Sequence, residues 1–424
     1  MQATILQTNL QGTVKAIASK SHVHRLLICA ALSERPSQIL CSETSKDMEA
    51  TAACLRALGA DIQRGREGFV VNPIPAKNAD LKCALHCGES GSTLRFMLPV
   101  VCALGGEFAL YGEGRLPQRP LSPLYELLEE HGCVLSPQGS NPLLVQGKLQ
   151  SGVYRMPGIV SSQFVSGLLF ALPLLDGDSE LHLDGKVESQ PYIRMTLQAL
   201  TQAGIQIRQE AQSFYIPGGQ TYRTPERCCA EGDWSNAAFW LCAGGLSEQT
   251  VCCTNLDKHS LQGDKAVAEL LSVFGAKVDW QGDACCVQTA PLQGIRIDAA
   301  DIPDLVPVLA VVACGAEGET VITNAQRLRL KESDRLQTVY EMLYALGADI
   351  TMHEDGFRIV GKGYLKGGTV EAHGDHRIAM AAAVAACICQ QPVTVCGAQA
   401  VQKSYPGFFE DMQSLGAQIM LEEI

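Results

Sequence analysis

The side chains best suited to chemistry lie between residues 304 and 335. Asp304 and Glu332 are carboxylates that could give and take protons, and Lys331 stands beside the second of them. Arg327, Arg329, Lys331, Glu332, Asp334 and Arg335 put six charged side chains into nine residues. The chain is otherwise poor in charge, with only 18% Asp, Glu, Lys and Arg among 424 residues. Ser333 and Asp334 are good N-cap types, and Leu336, Val339, Tyr340, Leu343 and Leu346 follow at helical spacing. The pattern predicts that Lys331, Glu332 and Arg335 gather at a helix start. Taken alone, the stretch reads as a capped, solvated helix end.

Composition narrows the possibilities. A net charge of −12 argues against nucleic acid or an acidic membrane surface as partner, but leaves room for a local basic pocket that binds a small anion. The N-terminal stretch lacks a basic region and a long apolar core, so it does not read as a signal peptide, and no apolar run has the length of a membrane span. Eighteen cysteines lie scattered through apolar segments without a CxxC pair, and read as small buried residues in a reducing cytoplasm. Cys83, His86 and Cys87 lack a matching second ligand pair, so no metal is expected.

The elements that position the charges recur. A helix end, a glycine, a small residue and a strand follow one another around Gly59, Gly132, Gly204, Gly275, Gly347 and Gly416, at spacings of 73, 72, 71, 72 and 69 residues. Each glycine suits the left-handed residue that ends a helix. The third period reads as strand 152–156, apolar helix 162–175, strand 180–183, amphipathic helix 191–203 and strands 205–208 and 213–216. The unit is β-α-β-α-β-β, six times over. The sixth copy runs short of a strand, which Ala3–Leu6 is expected to supply, with Thr13–Ile17 opening the first copy. Three plus three copies give one domain of residues 1–18 and 231–424 and a second of 19–230, closing on a ligand in the cleft between them.

Aligned on this period, the first helices begin near Ser21, Gly91, Ser162, Asp233, Asp304 and Asp375, and the second near Lys46, Arg119, Gln190, Ser260, Glu332 and Lys403. Lys20, Arg25, Arg95, Ser161, Gln163, Ser189, Lys331, Arg335, His376 and Arg377 fall at or near these points. Caps explain many of the Ser and Asp residues. They do not explain Lys and Arg, which the helix dipole disfavours there unless an anion joins them. The residues alone thus predict a two-lobed enzyme that closes on polyanionic small molecules and moves protons.

Seven stretches carry a family resemblance: Lys20 and Ser21 with Arg25; Gly88 to Arg95; Arg119 with Pro120; Ser161 to Gln163; Arg329 to Arg335; Gly374 to Arg377; and Lys403 with Ser404. Together they resemble the 3-phosphoshikimate 1-carboxyvinyltransferases (5-enolpyruvylshikimate-3-phosphate synthases) of the enolpyruvyl transferase family. The resemblance implies a two-lobed inverse α/β barrel, three repeats per domain with pseudo-threefold symmetry. It implies transfer of enolpyruvyl from phosphoenolpyruvate to the 5-hydroxyl of shikimate 3-phosphate by addition and elimination, in a cytoplasmic monomer without metal or cofactor. Shikimate 3-phosphate would meet Lys20, Ser21, Arg25, Ser161, Ser162, Gln163, Ser189, Asp304 and Lys331, with Tyr192 lining the site. Phosphoenolpyruvate would meet Lys20, Gly91, Arg119, Gln163, Arg335, Arg377 and Lys403. Asp304, Glu332 and Lys20 would be catalytic, with Asp304 taking the hydroxyl proton and Glu332 handling the proton at the methylene carbon.

Glu89 and Phe96 stand where members of that family commonly carry Asn and Pro, and Arg327 where some carry Asn. The sister enzyme acting on UDP-N-acetylglucosamine typically carries a reactive Cys where residues 111–119 here have none. A non-catalytic repeat protein is disfavoured by the presence of Asp304, Glu332 and Lys20.

Overall fold

The computed structural model describes residues 1–41, 43–75 and 81–423. Six four-stranded sheets carry the repeat. In the second repeat, Lys82–His86 runs parallel to Gly106–Tyr111, which pairs antiparallel with Leu143–Gly147, and Cys133–Leu135 closes the edge. The spatial order is therefore first, second, fourth, third, and the third and fifth repeats share it. Gln2–Ile5 lies between Val393–Cys396 and Ile419–Glu422, antiparallel to both, as the fourth strand of the sixth repeat.

One pairing corrects the sequence reading. Gly12–Lys15 does not open the first repeat; it runs parallel to Val251–Thr254 in the sheet of the fourth. The first repeat's sheet instead takes Arg227–Cys229, parallel to Ser37–Leu40. Both strands lie where the chain passes between units, and both fill the same parallel edge position. Periodicity fixes the order of strands but not which sheet receives an edge strand, and the exchange leaves each unit with three complete sheets.

The chain divides into two compact units, Met1–Ile17 with Glu231–Ile424 (the split unit) and Ala18–Ala230 (the continuous unit). Each has its own hydrophobic core. In the split unit the helices Trp234–Leu246, Val306–Gly315 and His376–Ala385 are buried almost all round and pack on one another. In the continuous unit Gly91–Leu104 and Ser162–Ala171 are similarly enclosed and pack closely. Gly167 permits that approach, since a Cβ there would stand 2.4 Å from the Arg95 carbonyl oxygen. The second helix of each repeat buries one face only. Gln190–Gln202, for example, turns Ile193, Met195, Thr196, Ala199 and Leu200 inward.

All six repeat glycines adopt positive φ, between 78° and 111°, which a Cβ would strain. The strand read over 205–208 forms instead at Arg208–Glu210. The Gln220 side chain holds Gln206 away from the ladder, accepting from its N–H and donating to its carbonyl at 2.7 and 2.9 Å. The cysteines also differ from the uniform reading. Sixteen are free and mostly buried, whereas Cys252 and Cys286, opposite one another on paired antiparallel strands, form a disulfide. Among the described residues no helix is long and apolar enough to cross a membrane.

Candidate active site

In the split unit the fold gathers Asp304, Lys331, Glu332, Arg335, Asp375 and Arg377. Asp334 caps the helix Arg335–Ala345 by accepting from the Gln337 N–H, so Arg335 starts that helix with its side chain turned inward, 1% exposed. Its guanidinium donates through Nε to Asp375 at 2.7 Å, through Nη1 to Asp304 at 2.7 Å and through Nη2 to Glu332 at 2.7 Å. Asp375 is wholly buried; it also takes the Ser333 hydroxyl at 2.9 Å and caps its own helix through the Arg377 N–H at 3.0 Å. Lys331 reaches Asp304 at 3.2 Å, and Arg377 brings Nη2 to 3.5 Å from the same carboxylate and Nη1 to 3.2 Å from its carbonyl oxygen.

Burial alone would raise the Asp304 carboxyl. Arg377, Lys331 and Arg335 together outweigh it and hold the group well below the usual carboxylate range. Burial lowers Lys331, with Asp304 pulling the other way. Burial opposes the charge on Arg335 too, but Asp375, Glu332 and Asp304 hold its proton more firmly than usual. The cluster therefore offers an ionised Asp304 and a Glu332 tied to the same arginine, a pair able to receive and return protons beside fixed positive charge.

The continuous unit supplies a different set. Lys20 starts the helix Lys20–Ala31 and donates to Asp47 at 2.9 Å. Arg25 is 2% exposed; it donates to Thr196 Oγ1 at 2.9 Å, to the Tyr192 carbonyl at 2.9 Å and to the Ser21 carbonyl. Burial lowers its pKa to about 10. Gln163 is fixed from both ends, its oxygen taking Arg95 at 2.7 Å and its amide donating to Ser92 at 2.8 Å. The Arg119 guanidinium lies on Gly91, where a Cβ would stand 2.6 Å from Nη1. Ser161 caps the helix Ser162–Ala171 through the Gln163 N–H. Ser189, buried and left-handed at φ 55°, precedes Gln190–Gln202 without a side-chain cap bond. Phe96, a departure from the family's common pattern, is buried under Arg25, whose guanidinium carbon lies 5.2 Å from the ring centre.

Several expected helix starts are corrected. Arg119 ends the short 3-10 turn Leu116–Gln118, Lys403 lies in the turn Ala398–Lys403, and Glu332 lies between the turn Gln326–Leu330 and the following helix. Asp304 lies near its expected start, in the turn Pro303–Leu305 that runs directly into the helix Val306–Gly315. Ser260 precedes a further turn, Gly263–Lys265, and hydrogen-bonds Glu231. Prolines at 117, 120 and 123, and at 406, delay the helix in the second and sixth repeats. Ser333 does not cap either, since its hydroxyl is spent on Asp375 and Thr338. The clash between cations and the helix dipole at Arg335 and Arg377 is thus met first by the protein's own carboxylates, before any ligand.

Sequence reasoning gave no site role to Asp375, Asp47, Ser92 or Asp264. For Asp375 the signal was the repeat itself, since it lies 71 residues after Asp304 at the matching first-helix start. Cys83, His86 and Cys87 gather no metal site, and among the described residues no cluster of three or more His, Cys, Asp or Glu is placed to hold one.

Six β-α-β-α-β-β repeats in two groups of three, carrying buried carboxylates interleaved with cations, define an α/β enzyme built to handle small anions. A sequence model of the family described as EPSP synthase (3-phosphoshikimate 1-carboxyvinyltransferase) matches residues 6–412. The chain is 43% identical over 421 residues to a 3-phosphoshikimate 1-carboxyvinyltransferase of Clostridium kluyveri, covering 98% of this chain and 97% of that protein. It is 42% identical over 415 residues to one of Clostridium acetobutylicum, covering 97% and 96%. The solved EPSP synthase of Acinetobacter baumannii superposes with a TM-score of 0.81 at 26% identity, over 99% of this chain and 100% of that one. The chain belongs to the EPSP synthase family and is a transferase.

Proposed function

We infer that the chain transfers the enolpyruvyl group of phosphoenolpyruvate to the 5-hydroxyl of shikimate 3-phosphate, releasing phosphate, on the route to chorismate and the aromatic amino acids. The observation that carries this reading is the Asp304 carboxylate held among Lys331, Arg335 and Arg377 with Glu332 on the same guanidinium. Asp304 accepts the hydroxyl proton as the oxygen bonds to C2 of phosphoenolpyruvate. Glu332 delivers a proton to C3, making it a methyl group, and takes one back as phosphate leaves and the double bond returns. Lys331, Arg335, Arg377 and Lys403 offset the negative charge of carboxylate and phosphate throughout.

Lys20, Ser21, Arg25, Ser161, Ser162, Gln163 and Ser189 hold shikimate 3-phosphate, with Tyr192 beside them, while Gly91 and Arg119 join Lys20 and Gln163 on phosphoenolpyruvate. Lys20 also serves the chemistry as a cation beside the reacting groups. A single chain supplies both sets of residues, which supports a monomer, and the cytoplasm, where phosphoenolpyruvate is made, is its place of action. The test is phosphate release from phosphoenolpyruvate with each of two acceptors. Release with shikimate 3-phosphate and none with UDP-N-acetylglucosamine is expected; the reverse pattern sinks the reading.

A further inference from the structure

Two polar rungs join the helices Lys20–Ala31 and Lys46–Ala57 in the continuous unit. The first, near the helix starts, is the ion pair of Lys20 with Asp47. The second lies one turn further in, where His24 Nδ1 stands 2.7 Å from Thr51 Oγ1. His24 follows Lys20 by four positions and Thr51 follows Asp47 by four, so both rungs use the same face of each helix. Thr51 Oγ1 is also 2.7 Å from Thr93 Oγ1, on a third helix, Gly91–Leu104. Thr93 donates to Ser90 Oγ at 2.8 Å, with the Asp47 carbonyl a longer second acceptor at 3.5 Å. Ser90 caps that third helix by accepting the Thr93 N–H at 3.2 Å. His24, Thr51, Thr93 and Ser90 are all fully buried.

The chain has a direction. Thr93 gives its hydroxyl proton to Ser90 or Asp47, so it accepts from Thr51. Thr51 has then spent its proton and accepts from His24, which makes His24 the neutral tautomer with its hydrogen on Nδ1. Burial, opposed by Asp47 and helped by Lys20 and Arg25, lowers His24 to about 3, in keeping with a ring that stays neutral. Its Nε2 meets no hydrogen-bond partner among the described residues. The ring stands edge-on to Phe96, one turn along the third helix, with 6.4 Å between ring centres.

The groups assigned to phosphoenolpyruvate in this unit come from separate segments. Lys20 opens the first helix, Gly91 opens the third, and the Arg119 guanidinium lies on Gly91. The buried chain links the first of these helices to the third. We propose, on the reading of the reaction given above, that His24 and Thr51 are positioning residues: acting through Thr93 and Ser90, they hold the start of the helix Gly91–Leu104 in register with Lys20 so that both meet phosphoenolpyruvate. A hydroxyl lost from the middle of the chain leaves buried donors and acceptors unpaired. The helix start then holds its binding form only part of the time, and the apparent affinity for phosphoenolpyruvate falls by that fraction.

The test pairs Thr51→Val, which keeps the shape of the side chain and removes its hydroxyl, with Thr51→Ser, which keeps the hydroxyl. Thr51→Val is expected to raise the KM for phosphoenolpyruvate about tenfold while kcat and the KM for shikimate 3-phosphate stay within about twofold of wild type. Thr51→Ser is expected to recover most of that loss, and Ser90→Ala added to Thr51→Val to cost less than the product of the two single effects. An unchanged KM for phosphoenolpyruvate in Thr51→Val, a rise shared equally by both substrates, or a Thr51→Ser as impaired as Thr51→Val overturns the proposal. Nitrogen NMR of wild type carrying isotopically labelled histidine, with the His24 signal assigned through His24→Gln, should place the ring hydrogen on Nδ1. A hydrogen on Nε2 overturns the proposal whether or not the valine variant folds. Absence of turnover by wild type with shikimate 3-phosphate overturns the reaction reading instead, and the histidine spectrum still decides the direction of the chain.

Discussion

Arg335 in the split unit and Arg25 in the continuous unit are both almost fully buried, 1% and 2% exposed, and they are held in opposite ways. Arg335 meets three carboxylates, whereas Arg25 meets a threonine hydroxyl and two backbone carbonyls. The contrast extends to the neighbouring cations, since Lys331 and Arg377 also reach Asp304, while Arg95 reaches Gln163 and the Pro120 carbonyl. Lys20, with Asp47, repeats the ionic arrangement in the continuous unit. The split unit is compensated internally and its carboxylates can exchange protons without a large change in net charge. In the continuous unit Arg25 and Arg95 meet neutral oxygens, from Thr196, Gln163 and backbone carbonyls. On the function proposed above, the split unit carries the proton traffic and the continuous unit holds much of the anionic substrate.

That division can be broken by experiment, and the largest effect falls on the proton side. Glu332→Gln keeps an oxygen for Arg335 but cannot carry the proton, so kcat should fall by about 10²–10⁴-fold with binding retained; near-normal kcat removes Glu332 from the chemistry. Asp375→Ala leaves Arg335 short of its best partner, and the split unit should lose about 3–5 kcal/mol. Trp234, Trp240 and Trp280 all lie in that unit, so tryptophan fluorescence during urea unfolding reads the loss directly.

On the binding side, Arg119→Ala should raise the KM for phosphoenolpyruvate about tenfold or more, the worth of a charge-assisted hydrogen bond, with kcat little changed. An effect confined to shikimate 3-phosphate contradicts the assignment.

The smallest expected effect sharpens the comparison through acid stability. Burial, helped by Lys20 and Arg25 and opposed by Asp47, lowers His24 to about 3. A histidine depressed in the folded state stabilises fully above its unfolded pKa near 6.5, and that contribution is lost as pH falls toward the folded value. The continuous unit should therefore weaken by about 2 kcal/mol by about pH 5. Asp304 is depressed from a lower starting point, so the split unit keeps its contribution until below about pH 4. Circular dichroism and tryptophan transitions should separate as pH falls, and His24→Gln should bring them back together; an unchanged separation in that variant excludes His24 as the cause.

The repeat was legible because a helix ending in a left-handed turn needs glycine, and six glycines at one spacing announce six such ends. The enclosed helices were legible because they have no polar face. The partners of the charges were not, since each arginine could have met a ligand, a carbonyl or a carboxylate, and Arg335 finds Asp375 forty residues on, in another repeat. Asp375 was read as a cap; it is one, and it is the arginine's anchor as well. Backbone details settled by neighbours, such as the 3-10 turns ahead of the helices and the Gln206–Gln220 clasp, left no periodic trace.

The placement of Gln2–Ile5 and Gly12–Lys15 has a consequence for synthesis on the ribosome. The continuous unit is complete once residue 230 has emerged, so it can fold while the chain is still growing. Gly12–Lys15 must wait for Val251–Thr254, and Gln2–Ile5 for Val393–Cys396 and Ile419–Glu422. For most of translation the earliest strands made are those without partners, and their exposed edges are the nascent protein's point of greatest risk of joining a neighbouring chain.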